Sequence, residues 1–221
     1  MRTIGRIAPA LALLLVAALA LLLVAPLAHA DLDPRLKSRL DAETATAVSQ
    51  IVAQAQASGL PTEPLVDKAL EGASKKATGP RIVAAVGQYA LALAGARDAL
   101  GRESRETEIV VGAGALLAGV TADSLAGLRA ALPGRSLVVP LVVMADLLAR
   151  RVPAPTASNA ILAASRAGVR DVELLKLRAR VEEDIRGGMP PGTSAMMRGR
   201  ALLEPGGPLL GPQSRPRPSA P

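Results

Sequence analysis

The chain has 221 residues, 18 of them proline and 20 glycine, with no Cys, Phe or Trp and a single Tyr, so it has room for one domain and material for an aliphatic core only. Without cysteine there is no disulfide, no thiolate-held cluster and no bacterial lipid anchor. The net charge of +7 leaves an anionic partner open, whereas the single His and the absent Cys remove most nucleophile and zinc chemistry.

The N-terminus reads as an address. Arg2 and Arg6 precede a charge-free apolar run from Ile7 to Leu27, and Ala28-His29-Ala30 supplies an A-x-A cleavage site. Residues 1–30 are therefore expected to be a signal peptide and 31–203 a single helical domain. The protein is then extracytoplasmic, periplasmic or secreted, with no stable membrane insertion once the segment is cut. The apolar run is also long enough to span a bilayer, so an uncleaved anchor is the alternative. Cleavage removes His29, the only histidine. It also leaves 24 basic residues against 19 acidic ones, a charge of +5. Arginine outnumbers lysine 21 to five, and the arginines are scattered, which reads as coding bias more readily than as one binding face.

In chain order, Asp33-Pro34 supplies an N-cap and a first helical position. The first helix is predicted from about Arg35 to Gln56, with Leu36, Leu40, Ala47 and Ile51 on one stripe. A second runs from Thr62 to about Lys76, with Leu65, Ala69 and Leu70 inward, and Thr78-Gly79-Pro80 breaks it. The third, Arg81 to Leu100, places Ile82, Val86, Tyr89, Leu93 and Ala96 on a core stripe, which buries the Tyr89 phenol. Glu103, Glu106 and Glu108 crowd the next helix start, where negative charge complements the helix dipole. The run Ile109 to Ala118 is apolar all round and is expected to be central.

Gly112-x-Gly114 resembles part of a dinucleotide loop, but Leu117 stands where the third glycine belongs and no strand precedes it. These glycines are read as a close helix contact. A fifth helix starts at Thr121 as N-cap and ends at Pro133-Gly134. Ser136 to Ala149 begins like a strand, yet no second strand-like run exists to pair with it. It is read as a buried helix with Pro140 in its first turn. A helix over Ala154 to Ala167, one capped by Asp171 with Leu174, Leu177, Val181 and Ile185 as its inner stripe, and one over Thr193 to Leu203 complete the domain. The acidic run Glu182-Glu183-Asp184 cannot converge on one point from a helix and reads as a solvated face. Six of the last 18 residues are proline, so 204–221 is expected to carry no fixed structure.

One turn recurs four times, as Ser58-Gly59-Leu60-Pro61, Ala118-Gly119-Val120-Thr121, Arg150-Arg151-Val152-Pro153 and Gly187-Gly188-Met189-Pro190. Each closes one helical run and opens the next. The fold class is therefore all-α: antiparallel helical hairpins in a compact bundle or short α-solenoid-like array of eight to nine helices. Counting helices between turns places Val120, Val152 and Met189 at one end and Leu60 at the other.

No S-x-x-K pair, G-x-S-x-G elbow or phosphate-binding lysine loop occurs. The sequence therefore points to a non-catalytic interaction or scaffold module of the cell envelope. No cofactor, metal or nucleic acid is implied, and the partner is a protein or an anionic envelope component. A small carboxylate-dependent hydrolase acting on envelope polymer is the alternative. Candidate interaction residues are Arg150, Arg151 and Thr121, with the Gly187-Gly188 N–H groups as an anion-facing edge.

Sequencing the N-terminus of the protein from its host should read from Asp31; an intact Met1 on a membrane-bound form would establish the anchor instead.

Overall fold

The computed structural model describes residues 33–204. The expected signal segment, 1–30, and the tail beyond Glu204 lie outside them. Among the described residues all regular structure is helical: α1 (Pro34–Arg39), α2 (Ala42–Ala57), α3 (Glu63–Ser74), α4 (Gly79–Leu100), α5 (Glu106–Leu117), α6 (Ala122–Ala131), α7 (Val138–Ala149), α8 (Ala154–Arg166), α9 (Asp171–Arg186) and α10 (Pro191–Leu203).

There is one helix more than the upper end of the expected range, because the first predicted helix is two. Leu40 turns extended, and the Asp41 carboxylate accepts from the Thr44 N–H, capping a new helix. Breaking the helix resets its stripe. Leu36 is buried as expected, but in α2 Ala45, Val48 and Ala55 are buried while Leu40 and Ile51 are only partly covered.

The recurrent turn occurs six times among the described residues. In each, the residue two past the C-cap donates its N–H to a carbonyl five residues back: Leu60 to Ala55, Ala77 to Gly72, Val120 to Ala115, Val152 to Leu147, Val169 to Ala164 and Met189 to Asp184, all at 2.9–3.0 Å. The residue between is left-handed, at Gly59, Lys76, Gly119, Arg151, Gly168 and Gly188. This closure satisfies carbonyls that a helix end leaves open. In five of the six, the next residue is already the N-cap of the following helix: Thr78, Thr121, Pro153, Arg170 and Pro190. The chain between these helices is thus very short.

Such turns stack helices in alternation. One layer runs α2 on α4, α4 on α6, α6 on α8 and α8 on α10. In the other, α1 packs on α3, α5 on α7 and α7 on α9. The hairpins α3–α4, α7–α8 and α9–α10 join the layers, and the long α4 also covers α5. This is a short stack of helical pairs, each resting mainly on its neighbours.

The turns divide between two ends. A Cβ on Gly119 would lie 3.8 Å from that of Ala154, and one on Gly192 would lie 3.2 Å from Pro153 Cδ, so the Val120, Val152 and Met189 turns adjoin. At the other end Arg97 donates to the Ser58 carbonyl and Arg129 to the Leu100 carbonyl, the latter at 3.2 Å. Arg135 faces Asp171 there at 3.9 Å. The Leu60 turn belongs to that second end.

The core is aliphatic, with Leu65, Leu93, Leu125, Leu141, Met144 and Ile161 among its largest fully buried side chains. Glycine brings helices together where a methyl would intrude: a Cβ on Gly112 would meet that of Ala96 at 3.3 Å, and one on Gly199 that of Ala160 at 3.1 Å. Gly114 faces open space, so only half of the Gly112-x-Gly114 reading holds. The helix that meets the most others is α4, which packs on α2, α3, α5 and α6, while α7 is covered by α5, α8 and α9. On α5, by contrast, Leu117 is exposed. The strand-like start of α7 is overridden because it has only helices to pack against. Tyr89 is half-buried; its loss of hydration and the nearby Asp67 charge raise its pKa.

Arg151 is a non-glycine residue at φ 65°, and its side chain is exposed. Left-handed backbone costs an L-residue about 1–2 kcal/mol. Part of the relief is offset by glycine's freer unfolded chain. Arg151→Gly should therefore stabilise the protein by about 0.5–1 kcal/mol in urea unfolding. Gly168→Ala, at φ 71°, should do the reverse.

Candidate functional site

A cleft with an excess of positive charge lies between α3 and α4, about 490 Å³ in volume and lined by Lys68, Glu71, Lys75, Lys76 and Arg81 over Gly72, Ala77, Ile82 and Ala85. Local chemistry builds it. Lys76 takes the left-handed position that turns the chain, and Thr78 opens α4 without a side-chain cap bond. Gly72 lets α4 approach: a Cβ there would stand 2.8 Å from Ile82 Cγ1. Asp41, on the α2 side of the same helix start, is engaged by Thr44.

Four cations thus share the cleft with one carboxylate. Glu71 accepts from Lys75 and, at 2.9 Å, from Lys68; these hydrogen bonds, that of Lys75 first, hold its pKa at about 2. Lys76 and Arg81 have no ion-pair partner among the described residues, and both are exposed. Three of the five lysines of the chain meet here. In the sequence lysine is merely scarce; its clustering on one hairpin is the signal that points to the cleft.

The residues expected to carry the interaction lie elsewhere. Arg150 donates to Glu182 at 2.9 Å and to the Asp146 carbonyl at 3.0 Å, tying α7 to α9. It is a structural cation and not a free one. Arg151 is exposed at the turn tip beside it. Thr121 caps α6 by accepting from the Ser124 N–H at 3.2 Å. The Gly187 and Gly188 N–H groups donate to the Glu183 and Ile185 carbonyls of their own helix, so they point inward and present no edge to an anion. Thr121 and Arg151 do share one end of the stack, on separate turns.

The three glutamates at the start of α5 diverge. Glu103 and Glu106 are exposed. Glu108 is buried and accepts from the Leu137 N–H at 2.6 Å, from Arg129 at 2.9 Å and from the Arg105 N–H at 3.2 Å. One carboxylate thereby joins the start of α5 to the end of α6 and the start of α7. A shallow cleft of about 370 Å³ opens beside it, lined also by Glu103, Arg105 and Arg135.

The acidic run on α9 likewise splits. Glu182 meets Arg150, and Glu183 is solvated. Asp184 is not: its pKa is held at about 2 by Arg198 first and then by the Ser194 hydroxyl, which bind α10 to α9 at 2.7–2.8 Å. Among the described residues no group of His, Cys, Asp or Glu could hold a metal ion. None of the described helices is long and apolar enough to cross a membrane. In comparisons with known proteins, no family model, no curated protein and no solved structure matches the chain.

Removing Glu108 would leave the Leu137 N–H without its acceptor and the Arg129 guanidinium without its counter-ion. Glu108→Ala should cost about 3 kcal/mol in urea unfolding, well above the cost of Glu106→Ala on the same turn.

Proposed function

We propose that this protein is an exported, non-catalytic scaffold of the cell envelope that holds an acidic partner in the cleft between α3 and α4. The observation that carries this is the gathering of Lys68, Lys75, Lys76 and Arg81 around the single carboxylate of Glu71. A cleft lined by one sign of charge raises the local concentration of the opposite sign. Lysine contributes compact, mobile point charges, which suit a flexible acidic segment better than one fixed bidentate geometry. The apolar floor at Ala77, Ile82 and Ala85 adds surface for a chain to lie on.

The stacked fold supports the same reading. A short array of helical pairs offers long side surfaces, and several charges near its helix ends serve to join one helix to the next. Glu108 and Asp184, the acids most committed to internal donors, are acceptors for the architecture. A two-carboxylate hydrolase would need such groups free to exchange protons.

The test is capture of partners from the native envelope by the full mature protein. Lys76→Glu with Arg81→Glu reverses two exposed, unpaired charges and should leave stability unchanged within about 0.5 kcal/mol. Capture should fall at least tenfold and should weaken with salt in the wild type. Unchanged capture by a stable double variant would remove the cleft from the function. Arg151→Glu serves as the comparison at the other candidate position.

A further inference from the structure

A second buried glutamate repeats the position of Glu108 without its acceptor role filled. Glu173 is the third residue of α9 and is 1% exposed. It follows the N-cap Arg170 as Glu108 follows the N-cap Arg105. Both helices belong to the same layer. The Glu173 Oε1 atom accepts from Lys176 at 3.0 Å and from Arg170 at 3.4 Å. Its Oε2 atom is buried and has no hydrogen-bond partner among the described residues. A buried carboxylate oxygen left without a donor is costly, so it marks a missing neighbour.

The Glu108 site shows what kind of neighbour belongs there. After α6 the chain runs Leu132-Pro133-Gly134-Arg135-Ser136-Leu137-Val138, and the Leu137 N–H reaches Glu108 Oε1. After α10 it runs Glu204-Pro205-Gly206-Gly207-Pro208-Leu209-Leu210. Leu132 and Glu204 are the C-caps of their helices. From those caps the two segments match in register: Pro and Gly at the first and second positions, Leu at the fifth, an aliphatic residue at the sixth. The residue in the place of Leu137 is Leu209. Glu108 and Leu137 are 29 residues apart, while Glu173 and Leu209 are 36 apart. The difference is what a longer α9 and a longer α10 add, at 16 and 13 residues against 12 and 10.

We propose that residues 205–210 dock across the open end formed by α9 and α10, with the Leu209 N–H donating to Glu173 Oε2 and with Leu209 and Leu210 covering apolar surface there. That end needs a cover. Val172, Met196, Met197 and Leu203 are exposed on these two last helices. Met197 stands at the place in its hairpin that Ala160 holds in the preceding one, counted from Pro190 and Pro153. Ala160 packs against Gly199 of the next pair, whereas no pair follows Met197 among the described residues. A stack of helical pairs leaves the apolar face of its last pair open unless a terminal element caps it. The chain leaves α10 at this face, after Leu203, with the matching segment next in line. The expectation of no fixed structure then applies only beyond 210.

The experiment is amide hydrogen exchange by NMR on the full mature chain. The Leu209 amide should exchange at least tenfold more slowly than the Ala220 amide. Glu173→Ala, which removes the acceptor, should abolish that protection. Leu209→Pro removes the donor instead and should shift the Val172 and Leu203 resonances. Should Glu173→Ala unfold the domain, Leu209→Pro carries the test alone, and unchanged resonances at Val172 and Leu203 would then overturn the proposal. A Leu209 amide exchanging as fast as that of Ala220 in the wild type also overturns it. Protection that appears only as protein concentration rises does the same, because the segment would then come from a second copy.

Discussion

The hydrogen bond that closes each helix end is the constraint on which the stack depends. An α-helix leaves four carbonyls open at its C-terminus, and six helices here close theirs with an N–H from two residues beyond the cap. The closure requires one left-handed residue and turns the following aliphatic side chain back toward its own helix. Val120, Val152 and Val169 are buried this way. Because the next residue usually caps the following helix, the chain has little slack in which to separate the two. Antiparallel pairs follow from this local chemistry, and alternate stacking follows from the pairs.

The core works within a narrow choice of side chains. Without Phe or Trp there is no large anchor to set helix spacing. Contact is made instead by bringing backbones together at Gly72, Gly112 and Gly199 and by filling between them with leucine. Packing of this kind is tolerant along a helix but directional at its ends. There the polar contacts between helices collect: Glu108 on Leu137 and Arg129, Asp184 on Arg198 and Ser194, Arg150 on Glu182. Each joins different helices, and so fixes how far one pair slides on the next.

The same logic separates structural charge from surplus charge. Cations that meet an acid from another helix are part of the architecture, as Arg129, Arg150, Arg178 and Arg198 are. Lys76 and Arg81 meet none among the described residues, yet they sit in a concavity with two further lysines. Surplus charge of one sign in a cleft is costly to the free protein through self-repulsion, and a ligand of opposite sign relieves that cost.

Much of this is legible in the residue order. Helix stops, starts and types are readable because capping and left-handed turns are local: Asp33-Pro34, Gly59-Leu60 and Gly119-Val120-Thr121 each carry their signal within a few residues. Asp41 is hidden because a cap inside an apolar periodicity looks like one polar residue on a continuous helix. The turns at Lys76 and Gly168 escape the set because neither places a large apolar residue directly before Pro or Thr: Ala77 precedes Thr78, and Val169 precedes Arg170. Four turns can be assigned to ends by counting, since alternation needs only the number of helices between them. The fate of the charges cannot be read that way. Glu103, Glu106 and Glu108 share one short stretch, and whether one of them is buried depends on a backbone N–H 29 residues away. Arg150 looks free in the sequence because its partner, Glu182, is 32 residues distant in another helix. Periodicity is a property of one helix, whereas pairing depends on how one helix slides and rotates against the next, and only the packed tertiary structure decides that.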